Sequence, residues 1–171
     1  MTLPVPGTYV IYNIQYSTQD VDLRASNVTV GTPIVGYSYN EATENMLWYL
    51  QVVDEDKGSV QLVSLATNTY AGLTGETSGS GIIGTDVETT FKLHERKDGE
   101  YERVSLLYYV SSRSNNALRI QTDNSELVWE LPDGNNYTQI ILSPPVSFYD
   151  NQSWQFYPVD GNYEEKPVSG P

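Results

Sequence analysis

One histidine, no cysteine and 22 carboxylates make up the reactive side chains of this 171-residue sequence. His94 lies in His94-Glu95-Arg96 at the end of a strand-like run. One imidazole cannot supply a multi-histidine metal site, and without cysteine there is no thiolate site. A Ser–His–acid arrangement is available by composition, but no Gly-x-Ser-x-Gly segment presents a nucleophile. Carboxylates are numerous enough for a hydrolytic pair, yet no spacing singles one out. Asp54-Glu55-Asp56 lacks the twelve-residue ligand pattern of a calcium loop and reads as a solvated turn. The expectation is a protein without catalysis, metal or cofactor, acting by non-covalent binding.

Charge narrows the partners. Twenty-two acidic residues against nine basic ones give a formal net charge of −13. Such a surface repels a phosphate backbone and an anionic membrane, so neither nucleic acid nor membrane insertion is expected. No run approaches the roughly 18 apolar residues of a membrane-spanning helix. Residues 1–6 have neither a basic nor an apolar signal-peptide region, and cysteine is absent. A cytoplasmic location is expected on those grounds, and the sequons at Asn27, Asn136 and Asn151 then carry no glycan.

The elements that must position any binding residues are strands. Val, Ile, Thr and 14 Tyr fill the periodic stretches, and these residues suit a pleated surface. No apolar 3.6-residue pattern persists over a dozen positions, so no helix is predicted. A glycine-led opening occurs at Gly7-Thr8-Tyr9-Val10-Ile11, Gly58-Ser59-Val60-Gln61-Leu62 and Gly99-Glu100-Tyr101-Glu102-Arg103. An aromatic close alternates with it at Met46-Leu47-Trp48, Thr90-Phe91-Lys92 and Ser153-Trp154-Gln155. This is a threefold internal repeat, with units at about 7–57, 58–98 and 99–158 of one domain (1–158) and a loose tail at 159–171. In unit one, Gln15 to Asp20 reads as a loop between the first two strands. In unit three, Tyr101–Val110 reads as the first strand and Leu118-Arg119-Ile120 as an extra strand or an extension. Three four-stranded units bury their cores jointly as a capped barrel with few free edges, an all-β β-trefoil. An immunoglobulin-type sandwich leaves the alternating pattern unexplained.

Gly7-Thr8-Tyr9-x-Ile11-x-Asn13, Gly31-Thr32-Pro33-Ile34-Val35-Gly36-Tyr37-x-Tyr39 and Asn151-Gln152-x-Trp154 resemble the fungal ricin-B-type (R-type) β-trefoil lectins over residues 7–158. The chain is also similar to the mycocypin-type fungal β-trefoil protease inhibitors. The lectin resemblance implies a shallow sugar site per repeat. A carboxylate accepts from adjacent sugar hydroxyls, an aromatic ring stacks on the C–H face, and an amide completes the polar set. Carried onto unit one, these are Asp22, Tyr37 and Asn45, with Tyr39 and Asn40 as further contacts. Met46 departs from the family there, standing where Gln-x-Trp has its glutamine. Each residue alone is as well explained locally: Asp22 by a turn, Tyr37 by a half-buried barrel position, Asn45 by a cap. A one-residue register slip would also put Tyr37 on the wrong face.

Unit two lacks the set, with Ala71-Gly72 at the carboxylate position and Ile83-Gly84 near the aromatic one. Unit three offers Glu130 as carboxylate and Asn151 as amide, with Phe148 or Tyr149 for stacking. Trp48, Trp129 and Trp154 read as core. The resemblance thus implies a glycan-binding defence protein. With one intact site, it would gain avidity as a homodimer or through an extended groove. The inhibitor resemblance implies instead a protease partner, addressed through Asn68 in the loop 66–69 or Arg113 in the loop 111–116. Both loops also have ordinary turn composition.

Overall fold

The computed structural model describes residues 4–38, 43–95 and 117–159. These form thirteen strands and three short 3-10 turns. Six strands close a ring: β1 (Gly7–Asn13), β4 (Leu47–Asp54), β5 (Ser59–Ser64), β8 (Phe91–Glu95), β9 (Leu118–Thr122) and β13 (Trp154–Pro158). Each pairs antiparallel with the next, and β13 returns to β1. Closure leaves these strands no free edge. Strand alternation puts Tyr9, Ile11, Trp48, Leu50, Val60, Leu62, Phe91, Leu93, Leu118, Ile120 and Trp154 into one buried cluster.

Three hairpins cap the ring. They are β2 (Asp20–Leu23) with β3 (Ile34–Tyr37), β6 (Tyr70–Leu73) with β7 (Ile82–Thr85), and β10 (Val128–Glu130) with β12 (Ile141–Ser143). A short strand, β11 (Thr138–Gln139), leaves the third hairpin and pairs with β3 of the first. Ile34, Ile82 and Ile140 are fully buried where the hairpins meet. There the Ile140 amide donates to the Ile34 carbonyl (3.0 Å), Ile82 to Ile140 (2.8 Å) and Gly84 to Thr32 (2.8 Å). A six-stranded barrel capped by three interlocked hairpins is a β-trefoil.

The tryptophans follow the repeat. Trp48 Nε1 donates to the Val21 carbonyl at 2.8 Å, and Trp154 Nε1 to the Trp129 carbonyl at 3.3 Å. Val21 and Trp129 occupy the same register in their hairpins, opposite Gly36 and Leu142. Phe91 takes the corresponding place in unit two, meeting Trp129 edge-on at 5.2 Å.

Two local expectations differ from the structure. Asp20 is not in a loop; it opens β2 opposite Tyr37. The stretch 118–120 is no extension. It belongs to β9, which pairs with β8, β10 and β13 as β5 pairs with β4, β6 and β8. It is therefore the opening strand of the third unit. Place in a closed ring is decided by pairing with both neighbours, which 118–122 does, whatever the length of the β pattern at 101–110. That stretch, together with Tyr39, Asn40, Arg113 and the tail 160–171, lies outside the described residues.

Candidate binding site

The first hairpin builds a cleft on its outer face. In Asp20-Val21-Asp22-Leu23 the apolar residues turn into the core, where Val21 and Leu23 are fully buried. The two aspartates turn the other way. Antiparallel pairing sets Asp20 opposite Tyr37 and Asp22 opposite Val35, so all four share one face. Asn45 comes from the 3-10 turn Glu44–Met46 that leads into β4, and Met46 anchors this turn in the interior. Its amide Nδ2 donates to Asp22 Oδ2, and its Oδ1 accepts from the Thr43 hydroxyl. Asp22, Arg24, Ala25, Tyr37, Asn45 and Tyr137 line an open cleft of about 410 Å³. The structure thus brings together Asp22, Tyr37 and Asn45.

The far wall comes from another repeat. The Tyr137 ring lies 4.7 Å from that of Tyr37, and its hydroxyl donates to the Tyr37 hydroxyl at 3.3 Å. Three contacts hold it there. The Tyr137 amide donates to the Gly36 carbonyl (2.9 Å), and Asn136 Oδ1 accepts from the Ser38 amide (2.9 Å) and from Gln19 Nε2 (3.1 Å). On the inner side, Gly36 leaves room for Leu131 of the same third repeat: a Cβ there would lie 2.8 Å from Leu131 Cδ1. The guanidinium of Arg24 rests 5.2 Å above the Tyr137 ring centroid, a cation–π distance.

Burial governs the electrostatics. Asp22 is 2% exposed. Desolvation pushes its pKa up to about 6; the Asn45 amide opposes the rise, and the charge of Asp20 adds to it. Asp20 is also raised to about 6 by burial. Both are ionised at neutral pH and poised to take up a proton in mild acid. Asn45 occupies Oδ2 of Asp22, which leaves Oδ1 to accept from a ligand.

The other hairpins carry different residues in the same register. Gly72 stands opposite Ile83 where Asp22 stands opposite Val35, and Thr85 stands opposite Tyr70 where Tyr37 stands opposite Asp20. Glu130, opposite Ile141, matches Asp22, but Ser143 takes the place of Tyr37. The amide that reaches Glu130 is not that of Asn151. Gln152 Nε2 donates to Glu130 Oε2 at 2.8 Å and to the Pro144 carbonyl at 3.0 Å, while its Oε1 accepts from the Val146 amide at 2.8 Å. In unit one Met46 replaces this glutamine, and Asn45 supplies the amide instead. Asn151 turns inward, and among the described residues its buried Oδ1 has no hydrogen-bond partner. Phe148 and Tyr149 are both about half exposed. Asn68 is exposed in the turn between β5 and β6 with φ of +56°. That left-handed conformation, which asparagine tolerates, accounts for the residue by itself.

Two lining residues, Arg24 and Tyr137, and the adjacent Asp20 escape sequence reasoning. Asp20 had a local signal, since Asp20 and Asp22 are two apart in a strand pattern and share a face. Arg24 follows directly on that strand. Tyr137 had no local signal, because its place depends on β11 crossing to β3 about a hundred residues away in sequence.

No protein-family model matches the chain. Among solved structures, the Rhizoctonia solani agglutinin superposes with a TM-score of 0.73 at 21% identity, covering 93% of this chain and 99% of its own. The Macrolepiota procera ricin B-like lectin, solved with lactose, gives 0.70 at 18% identity, covering 93% of this chain and 100% of its own. The designed threefold-symmetric protein ThreeFoil gives 0.72 at 16% identity, covering 90% and 99%. The resemblance to fungal ricin-B-like lectins thus extends to three dimensions, over nearly the full length of both chains, and establishes the β-trefoil fold.

Proposed function

We propose that this protein binds carbohydrate, without catalysis, through the cleft of its first repeat. The observation that carries the reading is the convergence of a buried carboxylate, an amide and two tyrosine rings on one open face. Asp22 Oδ1 accepts from adjacent ring hydroxyls. The second hydrogen of the Asn45 amide donates to a hydroxyl oxygen. Tyr37 and Tyr137 cover the apolar C–H face of the sugar. The structurally similar Macrolepiota protein, crystallised with lactose, supports the ligand class.

Acceptance by Asp22 requires its ionised form, so affinity falls as pH drops through about 6. A single shallow site binds at around millimolar, or about −4 kcal/mol. Useful avidity then calls for a second copy of the chain or for the Glu130 region of unit three.

A glycan array probed with the protein and with Asp22→Ala tests the reading. Binding that disappears in the variant supports it and assigns the site. Equal binding by both proteins moves the site away from the first repeat. Absence of binding by the unaltered protein overturns the carbohydrate reading and directs the next assay to proteases.

A further inference from the structure

Arg24 stands out among the described cations. Lys57 pairs with Asp54 at 2.8 Å, Lys92 pairs with Asp123 at 2.9 Å, and Arg119 donates to the Val146 carbonyl. Arg24 is exposed, and among the described residues no carboxylate lies within ion-pair distance of its guanidinium. In a chain of net charge −13, an arginine has many acidic residues available. This one instead lies on the face of Tyr137 at the rim of the cleft. It is held there from both sides. Its own amide donates to the Pro33 carbonyl at 3.2 Å. The two residues after it, Ala25 and Ser26, turn the chain away with φ of +56° and +49°, a conformation that costs free energy in residues other than glycine. Ala25 leaves only a methyl group on the cleft lining. The result is a planar fork of N–H donors beside, but distinct from, the carboxylate and amide of the sugar site.

We infer that Arg24, braced on Tyr137, forms a second subsite that recognises an acidic sugar residue, carboxylated or sulfated, attached to the sugar held by Asp22, Asn45 and Tyr37. This deepens the proposed function and rests on it. The two charges have separate tasks. Asp22 lies deep in the cleft and is engaged by Asn45, so it faces hydroxyls. Arg24 lies at the rim, where two oxygens of a carboxylate or a sulfate can take two parallel N–H···O bonds. Tyr137 belongs to both subsites, its ring lying beside that of Tyr37 and within cation–π distance of Arg24. The surrounding negative charge sharpens selectivity, because an acidic glycan that misses Arg24 meets net repulsion.

Titration calorimetry with matched oligosaccharides tests the subsite. Each set comprises a neutral oligosaccharide, the same glycan carrying a sialic or uronic acid, and the same glycan carrying sulfate. The expected result is that at least one acidic form binds about five- to tenfold tighter than its neutral counterpart. In Arg24→Gln that ratio collapses to about twofold or less, and Arg24→Lys retains part of it. Whether the carboxylated or the sulfated arm shows the gain identifies the substituent. Neutral and acidic forms bound equally, with binding still lost in Asp22→Ala, overturn the acidic subsite and leave the carbohydrate site standing. An acidic preference that survives Arg24→Gln also overturns it. No binding of any set overturns both readings. Thermal melting of Arg24→Gln confirms that the exposed substitution leaves the fold intact.

Discussion

Hairpin β2–β3 carries Asp-Val-Asp-Leu opposite Ile-Val-Gly-Tyr, and hairpin β6–β7 carries Tyr-Ala-Gly-Leu opposite Ile-Ile-Gly-Thr, in the same register. Their inward residues are interchangeable: Leu23 and Ile34 in one hairpin match Leu73 and Ile82 in the other. Their outward residues are not. Where Asp22 faces the cleft, Gly72 has no side chain, and the space a Cβ would take is filled by Thr85, with Cγ2 only 2.4 Å away, and by the Thr89 hydroxyl at 3.2 Å. Unit two has therefore closed its site by packing as well as by losing the polar groups. Unit three is intermediate, keeping the carboxylate as Glu130 but engaging it with Gln152. The barrel thus depends on the inward set alone, and the outward set is free to bind, to pack or to crosslink.

The largest expected effect comes from making unit one resemble unit two in charge. Folded, Asp22 holds its proton up to about pH 6, against 3.8 for the ordinary carboxyl. The folded state binds that proton more tightly than the unfolded one. Stability is therefore lost as pH rises between those values, and the cost at neutral pH is about 3 kcal/mol. Asp22→Asn should raise stability at pH 7 by up to that amount and give no gain near pH 4, while glycan affinity falls about 100-fold through loss of the charge-assisted acceptor. Urea denaturation at the two pH values checks this. A gain independent of pH would show that the buried charge is not its origin.

Gln152→Met gives unit three the residue that unit one has. It removes three hydrogen bonds of a fully buried side chain and should cost about 2–3 kcal/mol, measured as a shift of denaturation midpoint at unchanged slope. A cost below about 0.5 kcal/mol would mean that water replaces the amide there.

Gly72→Ala probes the packed second unit. The new methyl meets Thr85, so a loss of about 1–3 kcal/mol is expected. Thr85→Ala removes the nearest obstructing atom, and the two changes together should cost less than their sum, by about 1 kcal/mol in a double-mutant cycle. Additive losses would place the strain elsewhere.

The smallest effect separates Asn45 from Asp22. The Asn45 amide holds the Asp22 pKa down against burial. Asn45→Ala should therefore move the acid midpoint of glycan binding upward, read from affinities between about pH 5 and pH 8. An unchanged midpoint would show that a different group sets the pH dependence.

Much of the first repeat was legible because strand alternation is local. Asp22, Tyr37 and Asn45 came from the lectin resemblance, and the rule that residues two apart share a face then set Asp22 and Tyr37 on their strands. The threefold pattern of aromatic closes was legible for the same reason: Trp48, Phe91 and Trp154 each mark a strand whose inward side fills one barrel. Local pattern left 118–120 as an extra strand or an extension, because it measures β character and not ring position. The family resemblance set Asn151 beside Glu130, whereas the buried Gln152 is the side chain that reaches it.

By itself, then, the sequence determined the all-β class and the threefold frame, since each is written in spacings of two residues or in repeats along the chain. The tertiary structure alone decided that Tyr137 of the third unit completes the wall beside Tyr37, that Arg24 lies on its ring, and that Gly36 leaves room for Leu131 where the first and third repeats meet. Those contacts join residues about a hundred positions apart. They exist because closing six strands into a ring leaves the three caps no arrangement except against one another.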